Sequence, residues 1–213
     1  MLKIILIRPG STDFDEQGRI TGTLDVPLND CGADQVARTI DELTDQQIQA
    51  IYTSPCKACQ QTANALGEEL DLKGKPLDGL KNLNHGLWHG KMIVEVKQKQ
   101  PRVYRQWQEH PETVCPPEGE SPTSAQERGR AVLAKLAKKH KDGVIAVVVP
   151  EPFASLFRSL LNHGELGNLW KAECQCGGWE QFEVEASSVG LKTCSEFVAA
   201  LSGIANADVG VFR

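Results

Sequence analysis

The sequence predicts an α/β fold with a mixed, mostly parallel sheet and helices on both faces, forming a three-layer sandwich. Short runs rich in Ile, Leu and Val, at 2–7, 48–53 and 143–149, are typical of the buried strands of a parallel sheet. They alternate along the chain with segments of helical period, such as 32–43, and this alternation is characteristic of α/β proteins. The 213 residues are enough for one such domain, which we expect to span 1–213.

Composition and charge argue against several classes of partner. The chain is 40% hydrophobic and 24% charged, which is ordinary for a globular protein, and its formal net charge is −5. An acidic chain lacks the positive surface that binds nucleic acid or an anionic membrane. The apolar run at the start is interrupted by Arg8 and is too short for a signal-peptide core or a spanning helix. We therefore expect a cytoplasmic protein with no nucleic-acid or membrane partner.

The turn that follows the first strand is the expected location of a site. The strand at 2–7 ends in Arg-Pro-Gly, at 8–10, and proline and glycine do not continue a strand easily. In open α/β sheets, sites lie just beyond the carboxyl ends of the strands. The residues of this turn that we expect to line a site are Arg8, Ser11 and Thr12.

The other elements are predicted from periodicity and end signals. Further helices are expected at 121–140 and 153–161 and from residue 54 onward, and further strands at 77–82 and 179–185. The polar segment 13–23 contains glycine and is expected to be a loop. The strand at 179–185 alternates and is typical of a sheet edge, and the tail at 187–213 is expected to be a weak helix.

Five separated motifs resemble those of the histidine phosphatase superfamily, the phosphoglycerate-mutase-like phosphatases. They are LIRPGST at 6–12, RITGTLDVPL at 19–28, CKACQQTA at 56–63, NLNHGLWHG at 82–90 and PPEGES at 116–121. The family carries similar motifs in the same order, beginning with Leu-Ile/Val-Arg-His-Gly-x-Thr. The resemblance implies a phosphoglycerate-mutase-like sheet with a small helical cap inserted at about 84–120. It also implies an ancestral reaction in which a histidine nitrogen accepts a phosphoryl group.

The residues that would perform this reaction are replaced. On the family pattern, the nucleophilic histidine, the second arginine, the proton donor and the second histidine fall on Pro9, Ala58, Asn82 and Pro150. Proline has no side-chain nitrogen to accept a phosphoryl group, and asparagine has no proton to give at a useful pKa. A phosphate-binding asparagine of the family falls on Asp15, and Glu151 adds another negative charge beside the surviving Arg8. We therefore expect that the family's phosphohistidine catalysis has been lost.

The resulting hypothesis is a pseudophosphatase that acts as a binding or regulatory module for an unknown small molecule or protein partner. No cofactor or metal is expected. The candidate ligand-binding residues are Arg8, Ser11, Thr12, Asp15, Gly22, Thr23, His85, His89 and Glu151.

Two alternatives stay open at this point. His85 and His89 lie in the loop that faces the family's site, so with Arg8 they could form a divergent phosphatase or hydrolase acting on a small phosphorylated metabolite. In the other interpretation, one of them packs like the aromatic residue it replaces and the other faces solvent. Arg8 has two interpretations as well, because it could bind an anion or pair with Asp15 or Glu151.

The seven cysteines, an odd number at irregular spacing, fit free thiols in a reducing compartment better than a disulfide framework. Cys56-x-x-Cys59 and Cys174-x-Cys176 are the close pairs, and a four-thiolate zinc site or a redox pair are the alternatives that their spacing raises. The simpler interpretation of Cys56 and Cys59 is two small, half-buried residues at the start of a helix.

Overall fold

The computed structural model describes residues 1–162, 164, 166, 168–171 and 175–184. Within them, five strands form one sheet in the order β3-β2-β4-β1-β5. The strands are β1 (Leu2–Ile7), β2 (Ile48–Thr53), β3 (Gly74–Pro76), β4 (Gly143–Val148) and β5 (Trp179–Val184). The first four run parallel, and β5 pairs antiparallel with β1 at the edge of the sheet. The mixed, mostly parallel sheet and the antiparallel edge strand are therefore confirmed.

Seven α-helices connect and cover these strands in the described part of the chain. They are α1 (Asp13–Glu16), α2 (Asp30–Leu43), α3 (Lys57–Leu70), α4 (Ile93–Lys99), α5 (Pro101–Glu109), α6 (Pro122–Lys139) and α7 (Phe153–Leu161). Among these residues, none of the helices has the length and apolar character needed to cross a membrane.

The alternation of side chains along β1 explains why the sheet has a helical layer on each face. Successive strand residues point to opposite faces of a sheet. Leu2, Ile4 and Leu6 pack in a cluster with residues of α6 and α7. Ile5 and Ile7 pack in a second cluster with residues of α2 and α3. Both faces of β1, which lies between β4 and β5, are thus buried, as the continuous apolar run predicts.

Residues 84–120, where a cap was expected, contain α4, α5 and the short 3₁₀ turns Gly86–Trp88 and Pro111–Thr113. This segment packs on the core through two tryptophans, Trp88 and Trp107, which are fully buried and meet edge to face at 5.7 Å between ring centroids. Trp170 lies against both rings.

Two local predictions were wrong. The third strand is Gly74–Pro76, whereas part of the predicted strand at 77–82 is a 3₁₀ turn, Asp78–Leu80. The apolar residues there recur every third position, at 77, 80 and 83, which suits a 3₁₀ turn better than a strand of period two. The predicted loop at 13–23 contains α1, which Thr12 and Asp15 start with a capping box. The helix predicted at 187–213 lies outside the described residues.

Candidate functional site

The carboxyl ends of β1 and β4 lie side by side, because the two strands pair in parallel with Ile7 opposite Val148. The chain continues in register for one more step, where Val149 N–H donates to the Ile7 carbonyl at 3.0 Å. Pro9 and Pro150 follow directly, and both line one cleft of about 440 Å³, a volume that includes its open mouth. The cleft therefore lies where the turn after the first strand predicts a site.

The cleft brings together most of the residues that the sequence singled out. Arg8, Thr12, Asp15, Gly22 and Glu151 line it, together with the replaced positions Pro9, Ala58 and Pro150. Ser11, Thr23, His85, His89 and Asn82 do not line it.

Asp15 is held by hydrogen bonds from Thr12 and faces Arg8. One carboxylate oxygen of Asp15 accepts the backbone N–H of Thr12 at 2.9 Å and its hydroxyl at 2.7 Å. The other oxygen accepts from the Arg8 guanidinium at 3.4 Å. The pairing of Arg8 with Asp15, one of the two interpretations of that arginine, is thus present. A mostly buried cation that faces a fixed carboxylate is less available to an anionic ligand.

Glu151 adds a second acidic group to the same wall. One of its carboxylate oxygens accepts the Ser155 backbone N–H at 3.2 Å and the Ser155 hydroxyl at 2.8 Å. Burial raises the pKa of Glu151 above its ordinary value, and the hydrogen bonds from Ser155 and the charge of Arg8 only partly oppose this effect. Glu151 and Arg8 also line a neighbouring cavity of about 260 Å³, beside the ion pair that Arg158 makes with Glu180 at 2.8 Å.

The amino end of α3 forms another part of the cleft. Cys56 is its N-cap residue, and Ala58 occupies the first turn at the position where the family carries an arginine. An acidic residue of this chain already satisfies this helix end, because Asp25 accepts the Lys57 backbone N–H at 2.6 Å. The start of α3 thus carries the aliphatic side chain of Ala58 and the carboxylate of Asp25, where the resemblance predicts a phosphate-binding cation.

Ser11 serves the structure of the turn. Its backbone N–H donates to the Gln35 side chain at 2.9 Å, and its hydroxyl donates to the Asn29 side chain at 3.0 Å. The preceding Gly10 lies so close to the Gly32 carbonyl that a Cβ would collide with it. These contacts hold the turn against the start of α2, so that the Ser11 hydroxyl is turned away from the cleft.

His85 and His89 lie next to Gly22, outside the lining of the cleft. A Cβ on Gly22 would collide with the His89 ring and would come within 3.3 Å of His85 Nδ1. His89 Nε2 accepts two backbone N–H groups, from Thr23 at 3.2 Å and from His85 at 3.1 Å. The nitrogen lone pair that a nucleophile would need is therefore already engaged.

His85 is buried like a core aromatic residue. It is 3% exposed, and its ring lies 5.6 Å from that of Trp107. Its Nδ1 has no hydrogen-bond partner within the described residues. Burial, helped by the nearby His89, lowers the pKa of His85 to about 4. His85 thus packs as the aromatic alternative predicts, whereas His89 bonds the backbone rather than simply facing solvent.

Asn82 has a structural role at the point where the family places its acid. Its amide nitrogen donates to the Glu151 carbonyl at 2.7 Å. Its amide oxygen accepts the backbone N–H groups of Leu83 at 2.9 Å and Phe153 at 3.3 Å. The side chain links the segment that leads to His85 with the turn before α7, and it does not line the cleft.

Cys176, Thr21 and Cys56 line the cleft, although the sequence did not place them among the candidate ligand-binding residues. Cys176 arrives because the segment before β5 folds back over the turn, where Gly177 N–H donates to the Pro9 carbonyl at 2.9 Å. No local pattern predicts this long-range contact. Within the described residues, no group of three His, Cys, Asp or Glu side chains is arranged to hold a metal ion.

Comparison with known families agrees with this architecture. The sequence model described as "Histidine phosphatase superfamily (branch 1)" matches residues 4–196. This chain belongs to that superfamily. Phosphoserine phosphatase 1 of Hydrogenobacter thermophilus is 30% identical to it over 186 residues, which cover 87% of this chain and 88% of the relative. Phosphoglycerate mutase-like protein 4 of Arabidopsis thaliana is 29% identical over 149 residues, 68% of this chain and 65% of that protein.

Solved structures of other proteins share this fold. Bacillus stearothermophilus YhfR aligns with a TM-score of 0.79 at 21% identity, covering 87% of this chain and 92% of its own. A mutant phosphoserine phosphatase from Entamoeba histolytica, in complex with phosphoserine, aligns with a TM-score of 0.75 at 24% identity, covering 86% and 91%. At such identities the likeness concerns the fold alone.

Proposed function

We propose that this superfamily member has lost phosphohistidine catalysis and uses the cleft beyond β1 and β4 as the binding site of a pseudophosphatase, in a binding or regulatory role. The observation that carries the proposal is that Pro9 and Pro150, at the two family histidine positions, line one cleft side by side. A proline ring has no nitrogen lone pair that could accept a phosphoryl group.

The loss extends beyond the nucleophile. Removing a catalytic nucleophile alone lowers turnover by roughly a millionfold in a well-studied hydrolase. Here the second arginine is Ala58, an aliphatic residue, so this position supplies no cation to the cleft. Asn82, at the position of the proton donor, is committed to three hydrogen bonds. Restoring one histidine would therefore not restore the reaction.

The charges of the cleft support a ligand other than a phosphate dianion. Arg8 faces Asp15 at 3.4 Å and lies beside Glu151 on the same wall. One cation among two acidic groups gives a potential near neutral or negative, which does not attract a dianion. The neighbouring hydroxyls of Thr12 and Thr21 offer polar contacts without charge. A neutral or cationic polar small molecule fits this lining, and a protein segment that presents such a group is the other form of partner.

The divergent-enzyme alternative has weaker support from the geometry. It needs an imidazole that reaches the cleft beside Arg8, whereas the His85 and His89 rings lie behind Gly22. His89 Nε2 already accepts two N–H groups, and His85 has a pKa of about 4 and is 3% exposed. For either ring to act as a nucleophile, the segment 85–89 would have to rearrange.

The relatives provide the substrates to test. Phosphoserine comes first, because the Hydrogenobacter relative is a phosphoserine phosphatase. Binding must be measured apart from turnover, because the Entamoeba structure holds phosphoserine on a mutant enzyme.

The experiment compares the unaltered protein with Pro9→His and the matched control Pro9→Ala. Phosphate release is measured with phosphoserine, phosphoglycerate and p-nitrophenyl phosphate, and phosphoserine binding is measured by calorimetry. We expect no release above the blank from any of the three proteins and no saturable binding of phosphoserine. Turnover by the unaltered protein that His85→Phe or His89→Phe abolishes would refute the proposal in favour of the divergent enzyme.

A further inference from the structure

The start of α3 holds two thiols in different surroundings. Cys56 is the N-cap residue of this 14-residue helix, is partly exposed and lines the cleft. Cys59 lies one turn later, is 0% exposed and packs among the aliphatic residues beneath the sheet. Both are free thiols. An accessible cysteine is thus followed, three residues on, by a shielded one.

The surroundings of Cys56 favour its thiolate. The thiol of Cys59 is the main cause that lowers the pKa of Cys56, which falls to about 7 even though burial opposes the shift. The Cys59 backbone N–H, at the helix start, acts in the same direction. Burial raises the pKa of Cys59 well above its ordinary value, so this thiol keeps its proton and can donate it toward Cys56.

A buried hydroxyl beside the pair provides an independent indication. Ser54 is 0% exposed, and its Oγ has no hydrogen-bond partner of ordinary geometry within the described residues. A buried hydroxyl without a partner is uncommon, because leaving it unsatisfied costs about 1–3 kcal/mol. The Ser54 hydroxyl is close enough to Cys56 to favour its anionic form, so an unused donor stands beside the sulfur.

We propose that Cys56 and Cys59 are a redox-active dithiol pair, in which Cys56 reacts with low-molecular-weight disulfides from the cleft and Cys59 resolves the product. The proposal rests on the thiols themselves and does not depend on which ligand the cleft binds.

The exchange needs a disulfide as the oxidant and proceeds in two displacements. The Cys56 thiolate attacks one sulfur of the small disulfide, which breaks the S–S bond, forms a mixed disulfide and releases one thiolate. Cys59 then loses its proton to the small thiolate released in the first step and attacks Cys56 Sγ. This step forms the Cys56–Cys59 bond and releases the second small thiol. The protein loses two hydrogen atoms, and the small disulfide becomes two thiols.

The position of Cys56 at the helix end is compatible with this bond. Cys56 is the N-cap residue with extended backbone, φ −69° and ψ 152°, so its Cβ is not held at the spacing of about 5–6 Å that separates residues three apart within a helix. A disulfide needs Cβ atoms about 3.5–4.5 Å apart. Oxidation would also remove the thiolate of Cys56 from the wall that holds Ala58, and would change the charge of the cleft.

The test uses the full reduced chain and glutathione disulfide in excess, followed by acid quenching, alkylation of free thiols and peptide mapping by mass spectrometry. We expect the unaltered protein to acquire a Cys56–Cys59 disulfide. Cys59→Ala should stop at the mixed disulfide on Cys56. Cys115→Ser is the matched control, because Cys115 is exposed on the cap, and this variant should behave like the unaltered protein.

A second measurement on the unaltered protein does not rely on any variant folding. The rate of alkylation of each cysteine by iodoacetamide is followed against pH. We expect the rate at Cys56 to rise with a midpoint near pH 7, against about 8.5 for a free cysteine. The rates themselves should differ by only about threefold at pH 7, because nucleophilicity falls with the pKa.

Three results would overturn the proposal. They are a pH midpoint for Cys56 at about 8.5, the value of a free cysteine, a mixed disulfide that persists on Cys56 in the unaltered protein, and a bond from Cys56 to Cys176 instead of Cys59. The last outcome would leave Cys59 a packing residue.

Discussion

Replacing His85 with phenylalanine tests whether this histidine is a buried core residue. The imidazole is 3% exposed and its pKa is about 4 in the folded protein, against 6.5 for an ordinary histidine. The folded state therefore resists protonation, while the unfolded chain accepts the proton freely. Stability is present in full above pH 6.5 and is lost as the pH falls through 6.5 toward 4, the window between the unfolded and folded pKa values.

The size of the effect follows from the pKa difference. A shift of about 2.5 units corresponds to about 3 kcal/mol at a pH below both values, because each unit is a factor of ten. His85→Phe removes this dependence, since phenylalanine has no proton to gain. Any packing cost or benefit of the larger ring next to Trp107 is independent of pH and only offsets the curve.

The assay is urea unfolding followed by tryptophan fluorescence at several pH values between 4 and 8. We expect the free energy of unfolding of the unaltered protein, relative to His85→Phe, to fall by about 3 kcal/mol as the pH drops from 6.5 to 4. His110→Gln is the control for the loss of an imidazole elsewhere in the chain, because the His110 side chain is exposed. Parallel curves of unfolding free energy against pH for the unaltered protein and His85→Phe would contradict this reasoning. They would indicate that the His85 imidazole is accessible in the folded protein.

Two further stability predictions concern the turn before α7. Glu151→Gln should gain stability relative to the unaltered protein as the pH rises above 4.5, because the raised pKa of Glu151 means that the folded state prefers the protonated carboxyl. Urea unfolding between pH 4 and 7 checks this. A difference in the free energy of unfolding between the two proteins that stays constant with pH would contradict it. Asn82→Ala should lower the free energy of unfolding by about 3 kcal/mol, because it leaves the Glu151 carbonyl and the Leu83 and Phe153 N–H groups without their partner. A loss below about 1 kcal/mol in urea unfolding would argue against this structural role.

The sheet and its helices could be predicted because their signals are local. The apolar run of β1 is continuous, and the structure uses it on both faces of the sheet. The strand expected at 77–82 failed because three leucines spaced by three residues support a turn, and an apolar count alone does not separate the two. The capped turn α1 was missed because a four-residue helix has too little periodicity to be detected.

The site was predictable only as far as its backbone positions. Strand ends bring Pro9 and Pro150 together, and the turn supplies Arg8. Which side chains face the cleft depends on contacts distant in sequence. Ser11 was expected to line it but bonds Gln35 and Asn29, and Cys176 was missed although a returning segment places it there. Periodicity carries no information about such contacts.

Trapping of a phosphoryl group on the protein tests the central claim most directly. The protein is incubated with radiolabelled phosphoserine, quenched in alkali to preserve any phosphohistidine, and mapped by mass spectrometry. We predict no incorporation above the level of a heat-denatured control, because the sequence motifs place Pro9 and Pro150 where the resemblance implies the two histidines. A phosphohistidine at His85, at His89 or at any other histidine of the chain would contradict it.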